Sequence, residues 1–368
     1  MKIGIPKEIK DRENRVALTP QGAEVLIRAG HEVRVQAGAG LGAGFADQDY
    51  QMAGAQICSV EQAWDTELVV KVKEPLEAEY GLLRDNLLFT YLHLAGAPRE
   101  LTDALLSRKT TGIAYETLED SAGRLPLLAP MSAIAGNMAT LMGAYYLARS
   151  QGGKGVQLGE VLGVRHGEVL IIGDGVVAYH AAKAARGLGA KVTIVGLDPA
   201  KGERMQSEIA ADVEFVHSSH EVIAERVTNT DLLIGAVLKH GARAEAVVSE
   251  AMVKSMQPGS VVVDVSIDQG GCIATSRPTS HSEPIFVQYG VIHYCVTNMP
   301  GAYPRTSTLA LTVATLPYVA KLAAHGIEAL HQNVGMARSL NVRDGFIVCR
   351  PVAESLGMPD RYRDWDGF

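Results

Sequence analysis

Short apolar runs alternate with stretches of helical periodicity along most of this chain, the pattern of a layered α/β fold. Apolar, partly β-branched runs at 2–5, 31–36, 68–73, 86–92 and 111–117 predict strands. Helical spacing predicts helices at 20–29 and 99–108, with a short one between the third and fourth strands. The polar, charged segment 9–19, IKDRENRVALT, reads as a loop. Pro126 and Pro130 punctuate the end of this region, and 131–150 follows as a long helix. Along one side it carries Ala135, Gly136, Ala139 and Gly143, small enough for another backbone to approach closely. Residues 151–167 are glycine-rich and irregular.

The alternation then resumes, with strands at 169–172, 191–195, 213–217, 231–237 and 260–265, and a last one at 291–296. Helices are predicted at 176–188, 220–226 and 247–256. A long helix at 306–324 is expected to be interrupted at Pro317, and the tail holds a further helix near 352–356. The chain is therefore expected to form two Rossmann-like, doubly wound α/β domains flanking a cleft. One comprises 1–130 plus 307–368, with the tail packed back on it, and the other 131–306.

One stretch stands out, EVLIIGDGVVAYHAAKAARGLGAKVTIVGLD from Glu168 to Asp198. It reads as strand, glycine turn, helix and second strand in sequence, the setting in which a glycine fingerprint binds a dinucleotide. Gly173 permits the tight turn, Gly175 lets backbone approach a pyrophosphate, and Ala178 is small enough for close helix–sheet packing. The helix N-terminus offers unpaired N–H groups and a positive dipole end to the phosphates. A second glycine run, GAGLGAG at 38–44, fits the pattern loosely, but no useful helix is expected after it. It reads as a flexible loop.

Composition narrows the class. The chain has 368 residues, 47% hydrophobic and 20% charged, with a formal charge of −7 and a pI near 5.9. That balance, with no dense basic run, argues against nucleic acid as a partner. No uninterrupted apolar stretch of membrane-spanning length is seen, and no apolar signal core at the N-terminus, so a cytoplasmic location is expected. Cys58, Cys272, Cys295 and Cys349 are scattered, without zinc spacing, and no metal site is expected.

Ionisable residues close several strands: Lys73 after LVVKV, His93 after FTYL, and Asp268 just beyond VVVDVS. In open α/β sheets that edge binds ligands. Each has an ordinary reading too, as a solvated lysine, a satisfied histidine or a turn-forming aspartate.

The segments IGIPKEI, NRVALTP, KVKEP, FTYLHLA, APMSAIAG, LIIGDGVV, VVDVSIDQGGC, HYCVTNMPGA and RTST, in order from residue 3 to about 316, resemble the family of alanine dehydrogenases and transhydrogenase α-subunits. The resemblance implies oxidative deamination of L-alanine to pyruvate and ammonium with NAD, and the reverse. It places Arg15 on the substrate carboxylate, where a planar guanidinium suits bidentate pairing, with Lys73 as the second cation. His93 and Asp268 fall at the acid/base positions, and an imidazole is suited to proton transfer near neutral pH. It also implies cofactor contacts from Ser132, Val177, Lys201, Ser218, Leu238, Arg277, Asn298 and Met299, with Asp268 beside them, and a homo-hexamer without membrane partners.

Three positions depart from the family pattern. Gly196 stands where an acidic residue usually meets the adenosine ribose; Asp198 could substitute for it, or Lys201 and Arg204 could admit NADP. Asp174 stands between the fingerprint glycines, where its carboxylate is a liability near phosphates unless it points to solvent. Asn137 replaces a more usual basic residue. The other readings are a transhydrogenase-type nucleotide-binding subunit, a dehydrogenase of the same fold for another small amino acid or oxo acid, and a silent nucleotide sensor.

Overall fold

The computed structural model describes residues 1–238 and 246–365. They divide into two compact units, Met1–Met131 with Gly301–Phe368, and Ser132–Pro300, the last three residues lying outside the described set. In chain order the first unit supplies β1 (Lys2–Ile5), α1 (Pro20–Arg28), β2 (Glu32–Gln36), α2 (Asp47–Met52), β3 (Gln56–Cys58), α3 (Val60–Trp64), β4 (Leu68–Val70), β5 (Leu87–Thr90), α4 (Arg99–Ser107) and β6 (Thr111–Ala114). Helix α5 (Ala129–Leu147) precedes the hairpin β7 (Gly159–Val161) and β8 (Val164–His166). The second unit continues with β9 (Glu168–Ile172), α6 (Val176–Leu188), β10 (Lys191–Gly196), α7 (Pro199–Glu208), β11 (Glu214–His217), α8 (His220–Val227), β12 (Leu232–Gly235), α9 (Glu250–Ser255), β13 (Val261–Asp264), β14 (Ile285–Gln288) and β15 (Val291–Tyr294). Helix α10 (Pro304–His325), β16 (Leu340–Arg343) and β17 (Phe346–Ile347) belong to the first unit again.

In the first unit the strands lie in the order β17-β16-β6-β5-β4-β1-β2-β3. β1 to β6 are parallel, and β16 and β17 extend the sheet antiparallel. The order reverses between β1 and β4, which makes that point the topological switch where doubly wound sheets bind ligands. The central strands β4, β5 and β6 are buried nearly along their length because both faces are covered, whereas β2, EVRVQ, alternates, and the tail contributes Val342, Ile347 and Val352 to a core with Leu88, Leu101 and Leu105. Helix α1 starts where Thr19 accepts the Gly22 N–H, with Pro20 in its first turn.

The second unit repeats the plan, in the order β11-β10-β9-β12-β13-β15-β14, with only β14 antiparallel. Its switch point falls between β9 and β12. Leu170, Ile172, Leu233, Val253 and Val262 anchor the core. The small residues of α5 are used within this unit. A side chain at Gly136 would come within 2.4 Å of the Val177 carbonyl of α6, and one at Gly143 within 2.4 Å of Leu232. Thr140 donates to the Ala181 carbonyl at 2.9 Å between them.

Several local expectations are corrected. Helix α10 runs unbroken through Pro317, whose ring lies on the exposed face beside Val313, so the missing hydrogen bond faces solvent. That helix is also long and apolar enough to cross a membrane by length and composition alone, with 44% of its most apolar window buried in the fold. The glycine run at 38–44 is closely packed: side chains at Gly40 and Gly42 would strike Tyr50 and Asn14 within 2.7 Å. Helix α2, only six residues, follows it. β3 and α3 are too short for a periodic signal. The strand expected at 291–296 is not the last, because β16 and β17 lie in the tail.

Replacing Gly136 with Ala is expected to destabilise the protein by about 2 kcal/mol or more, since two helix backbones would have to part. A shift in the midpoint of urea unfolding at constant slope measures it.

Candidate functional site

The first unit gathers its polar groups at the C-terminal ends of β1, β4, β5 and β6. The loop after β1 is charged in sequence, yet it buries Glu8, Glu13 and Arg15, the last 2% exposed. Glu13 makes this tolerable, accepting from Arg15 Nε at 2.7 Å and Nη2 at 2.5 Å, while Nη1 meets the Met131 sulfur at 3.0 Å. Burial opposes the charge, but the Glu13 contacts outweigh it and hold the guanidinium above its ordinary pKa.

Immediately beyond β4, Lys71 is fully buried between Glu8, at 3.1 Å, and Glu79, at 2.9 Å. Lys73 follows with 7% exposure, its ammonium 3.6 Å from Glu74 and 5.9 Å from the Tyr91 ring centroid. Burial works against the Glu74 carboxylate, but Lys73 and Lys10 prevail and hold its pKa down at about 2.

His93 lies beyond β5, half-buried, its ring stacked 5.5 Å from that of Tyr91 at an interplanar angle of 3°. Its backbone adopts φ +47°, a left-handed conformation that a side chain disfavours. Glu116, just after β6, fixes it, accepting the His93 N–H at 2.6 Å and the Leu92 N–H at 3.2 Å. Burial, reinforced by the Lys73 ammonium, pushes the imidazole down to about 3, with Arg15 acting in the same direction and Glu74 opposing. At pH 7 the ring is neutral.

In the second unit Gly173 has φ +124°, and a side chain there would come within 2.4 Å of the Ala236 carbonyl. The space beside Gly175 is open to 4 Å. Ala178 is fully buried, and Val177 half-buried on the first turn of α6. Gly196, Asp198, Lys201 and Ser218 collect at the ends of β10 and β11: Ser218 donates its N–H to the Gly196 carbonyl at 2.8 Å. Asp198 caps α7, accepting the Ala200 N–H at 3.0 Å. Asp174 does not point to solvent. It accepts the N–H groups of Leu197 and Asp198 and pairs with Lys201.

Beyond β13 the carboxylate of Asp268 receives the Asn298 N–H at 3.2 and 3.3 Å, and Asn298 itself sits at φ +58° with Met299 buried behind it. The fully buried Asp264 ties this loop down by accepting from Ser266, Cys272 and Ile273. Leu238, past β12, is 47% exposed. Arg277 lays its guanidinium 4.3 Å over the Phe286 ring on edge strand β14. Ser132 is half-buried near the start of α5. Among the described residues no group of three or more His, Cys, Asp or Glu could hold a metal ion.

Comparison with known proteins now bears on this geometry. Residues 4–135 match the family described as alanine dehydrogenase/PNT, N-terminal domain, and residues 139–350 match its C-terminal domain. The chain belongs to the alanine dehydrogenase/PNT family. It is 49% identical over 363 residues to the alanine dehydrogenase of Mycolicibacterium smegmatis, covering 98% of each chain. A solved L-alanine dehydrogenase superposes with a TM-score of 0.92 at 50% identity, over 97% of this chain and 99% of the other. A transhydrogenase from Sinorhizobium meliloti does so with 0.81 at 25% identity, over 95% and 99%.

Within this family fold, the sequence reading missed the partners that hold the candidate residues. Glu13, Glu74 and Tyr91 lie within two residues of the chosen positions but left no signal of a partner role, and Glu116 left none at all. Only the strand order brings Glu116 back to His93, 23 residues away.

Glu116→Gln is expected to cost about 1–3 kcal/mol, because an amide turns one N–H donor toward the two backbone donors it must serve. Thermal or chemical unfolding measures it. The His93 ring resonance, followed by NMR, is expected to stay unchanged from pH 8 to pH 5; an inflection near 6.5 would contradict the assigned environment.

Proposed function

We propose that this protein is an NAD-dependent alanine dehydrogenase, converting L-alanine, NAD⁺ and water to pyruvate, ammonium, NADH and a proton, and running the reverse. The observation that carries the reading is the grouping of Arg15, Lys73 and His93 around Tyr91. Lys73 and His93 both lie against its ring, and the charges of Lys73 and Arg15 both act on the imidazole. Two fixed cations and one neutral base at a single switch point suit a small 2-amino or 2-oxo acid.

The second unit fits a dinucleotide on its own geometry. Gly173 closes the turn against Ala236, the space at Gly175 admits a phosphate, and the thirteen-residue α6 begins there with unpaired N–H groups. When bound, NAD supplies the hydride acceptor. Ser132, Val177, Ser218, Leu238, Arg277, Asn298 and Met299 are assigned to it with the glycine turn, Asp198 and Lys201, Arg277 with the least structural support.

Arg15 binds the substrate carboxylate. Glu13 holds the Nε–Nη2 edge and fixes the direction of the guanidinium. Lys73 steadies the carboxylate and the developing carbonyl oxygen. Neutral His93 accepts a proton as water adds to the imine carbon and returns one to the departing nitrogen. Asp268 is assigned as the second acid/base group. At pH 7 the His93 ring is neutral and so able to accept a proton, while burial beside Lys73 makes it a weak base. We further propose that the chain works in the cytoplasm as a homo-oligomer, which the exposed Leu309 and Val313 on α10 support.

His93→Ala and Asp268→Asn are each expected to lower kcat by roughly 10²–10⁴-fold. NADH binding, followed by fluorescence, is expected to change little. Rates for a panel of amino acids and oxo acids test the substrate: activity with alanine and pyruvate well above that with larger homologues supports the reading. No alanine-dependent NADH formation by the isolated chain would end it.

A further inference from the structure

Dinucleotide folds commonly end the second strand on a carboxylate that meets the adenosine ribose. Here β10 ends on Gly196, and the surroundings forbid a side chain. A Cβ at 196 would lie 2.7 Å from Asp174 Cβ and 2.7 Å from the Phe215 ring. That ring also packs closely on Gly202, where a Cβ would meet it at 2.4 Å. The space that an acidic residue on β10 would occupy is therefore filled by Asp174, which reaches it from the glycine turn after β9.

The Asp174 carboxylate is firmly placed. Oδ2 accepts the Leu197 N–H at 2.8 Å and the Asp198 N–H at 3.0 Å, and Oδ1 meets Lys201 Nζ at 3.0 Å. Its side chain is 15% exposed against 52% for Lys201, so the carboxylate lies beneath the ammonium and still reaches the surface. Burial opposes its ionisation, but Lys201 and the two amides overcome that and hold its pKa below the usual carboxylate range. A carboxylate has about four acceptor sites, and these three donors leave room for one more.

We propose that Asp174 reads the adenosine ribose, accepting its 2′-hydroxyl and repelling a 2′-phosphate, so that the chain selects NAD(H) over NADP(H). The carboxylate has moved from the strand end to the glycine turn, and Gly196 is the space left for it. The local cations do not form a phosphate site. Lys201 is paired with Asp174, Arg204 with Glu208 at 2.7 Å, and Asp198 adds a second negative charge at the cap of α7. This inference rests on the dinucleotide reading above.

The test is fluorescence titration of the full-length protein with NADH and with NADPH, which needs no turnover. The wild-type protein is expected to favour NADH. Asp174→Asn keeps an acceptor for the two amides and removes the charge. It is expected to shift the ratio of affinities toward NADPH by about tenfold or more. Asp174→Ser is expected to shift it the same way, which guards against a fault peculiar to one variant. Lys201→Met keeps the carboxylate and is expected to retain or sharpen the preference for NADH. A wild-type preference for NADPH, or a ratio unchanged in both Asp174 variants, overturns the proposal. So does a K201M protein that behaves like D174N, because Asp174 would then act only as a tether for the lysine. If neither nucleotide binds the wild-type protein, the dinucleotide reading itself fails, a result distinct from any of these.

Discussion

A guanidinium removed from water must be met by an anion, and the Glu13–Arg15 pair is the contact around which the first unit's polar edge is arranged. Breaking such a buried pair from one side leaves an uncompensated charge, a cost of about 3–5 kcal/mol. The same condition recurs along that edge. Lys71 is buried between Glu8 and Glu79, and Lys73 stands against Glu74. These carboxylates do two things at once. They make it tolerable to hold cations below the surface, and they fix where those cations point. The outcome is a set of fixed positive charges beside a neutral imidazole, an environment suited to an anionic substrate and to proton transfer.

Strain at His93 belongs to the same economy of positions. A left-handed backbone at a non-glycine residue persists only where neighbours over-determine it. Glu116 does so by accepting from two consecutive amides, and Tyr91 lies parallel to the ring. The second unit meets a comparable need differently. Asp264 gathers three amides at the end of β13 and holds the loop that carries Asp268. In both units a carboxylate at a strand end collects backbone donors, and the residue of chemical interest lies close by in the loop it secures.

The end of β10 shows how a departure from a family pattern can be a rearrangement. Asp174, Gly196 and Phe215 fill one another's space, so a change at any one of them limits the others. Read along the chain, Asp174 looks like a liability and Gly196 like a loss. In three dimensions they are one feature, because parallel β9 and β10 bring their C-terminal ends side by side.

Much was legible from order and pattern. Buried parallel strands announce themselves as short apolar runs, and glycine turns between strand and helix announce a binding edge, so both doubly wound sheets could be read from sequence. The glycine at 173 was legible because a left-handed turn pressed against a neighbouring backbone admits nothing larger. What sequence could not supply was everything that depends on strands distant in the chain becoming neighbours. That includes Glu116 beneath His93, the tail strands β16 and β17 on β6, and the carboxylate of Asp174 at the end of β10. Local propensity acts over a few residues, whereas these contacts are set by which edges a folded sheet brings together, and that is decided only when the whole core closes.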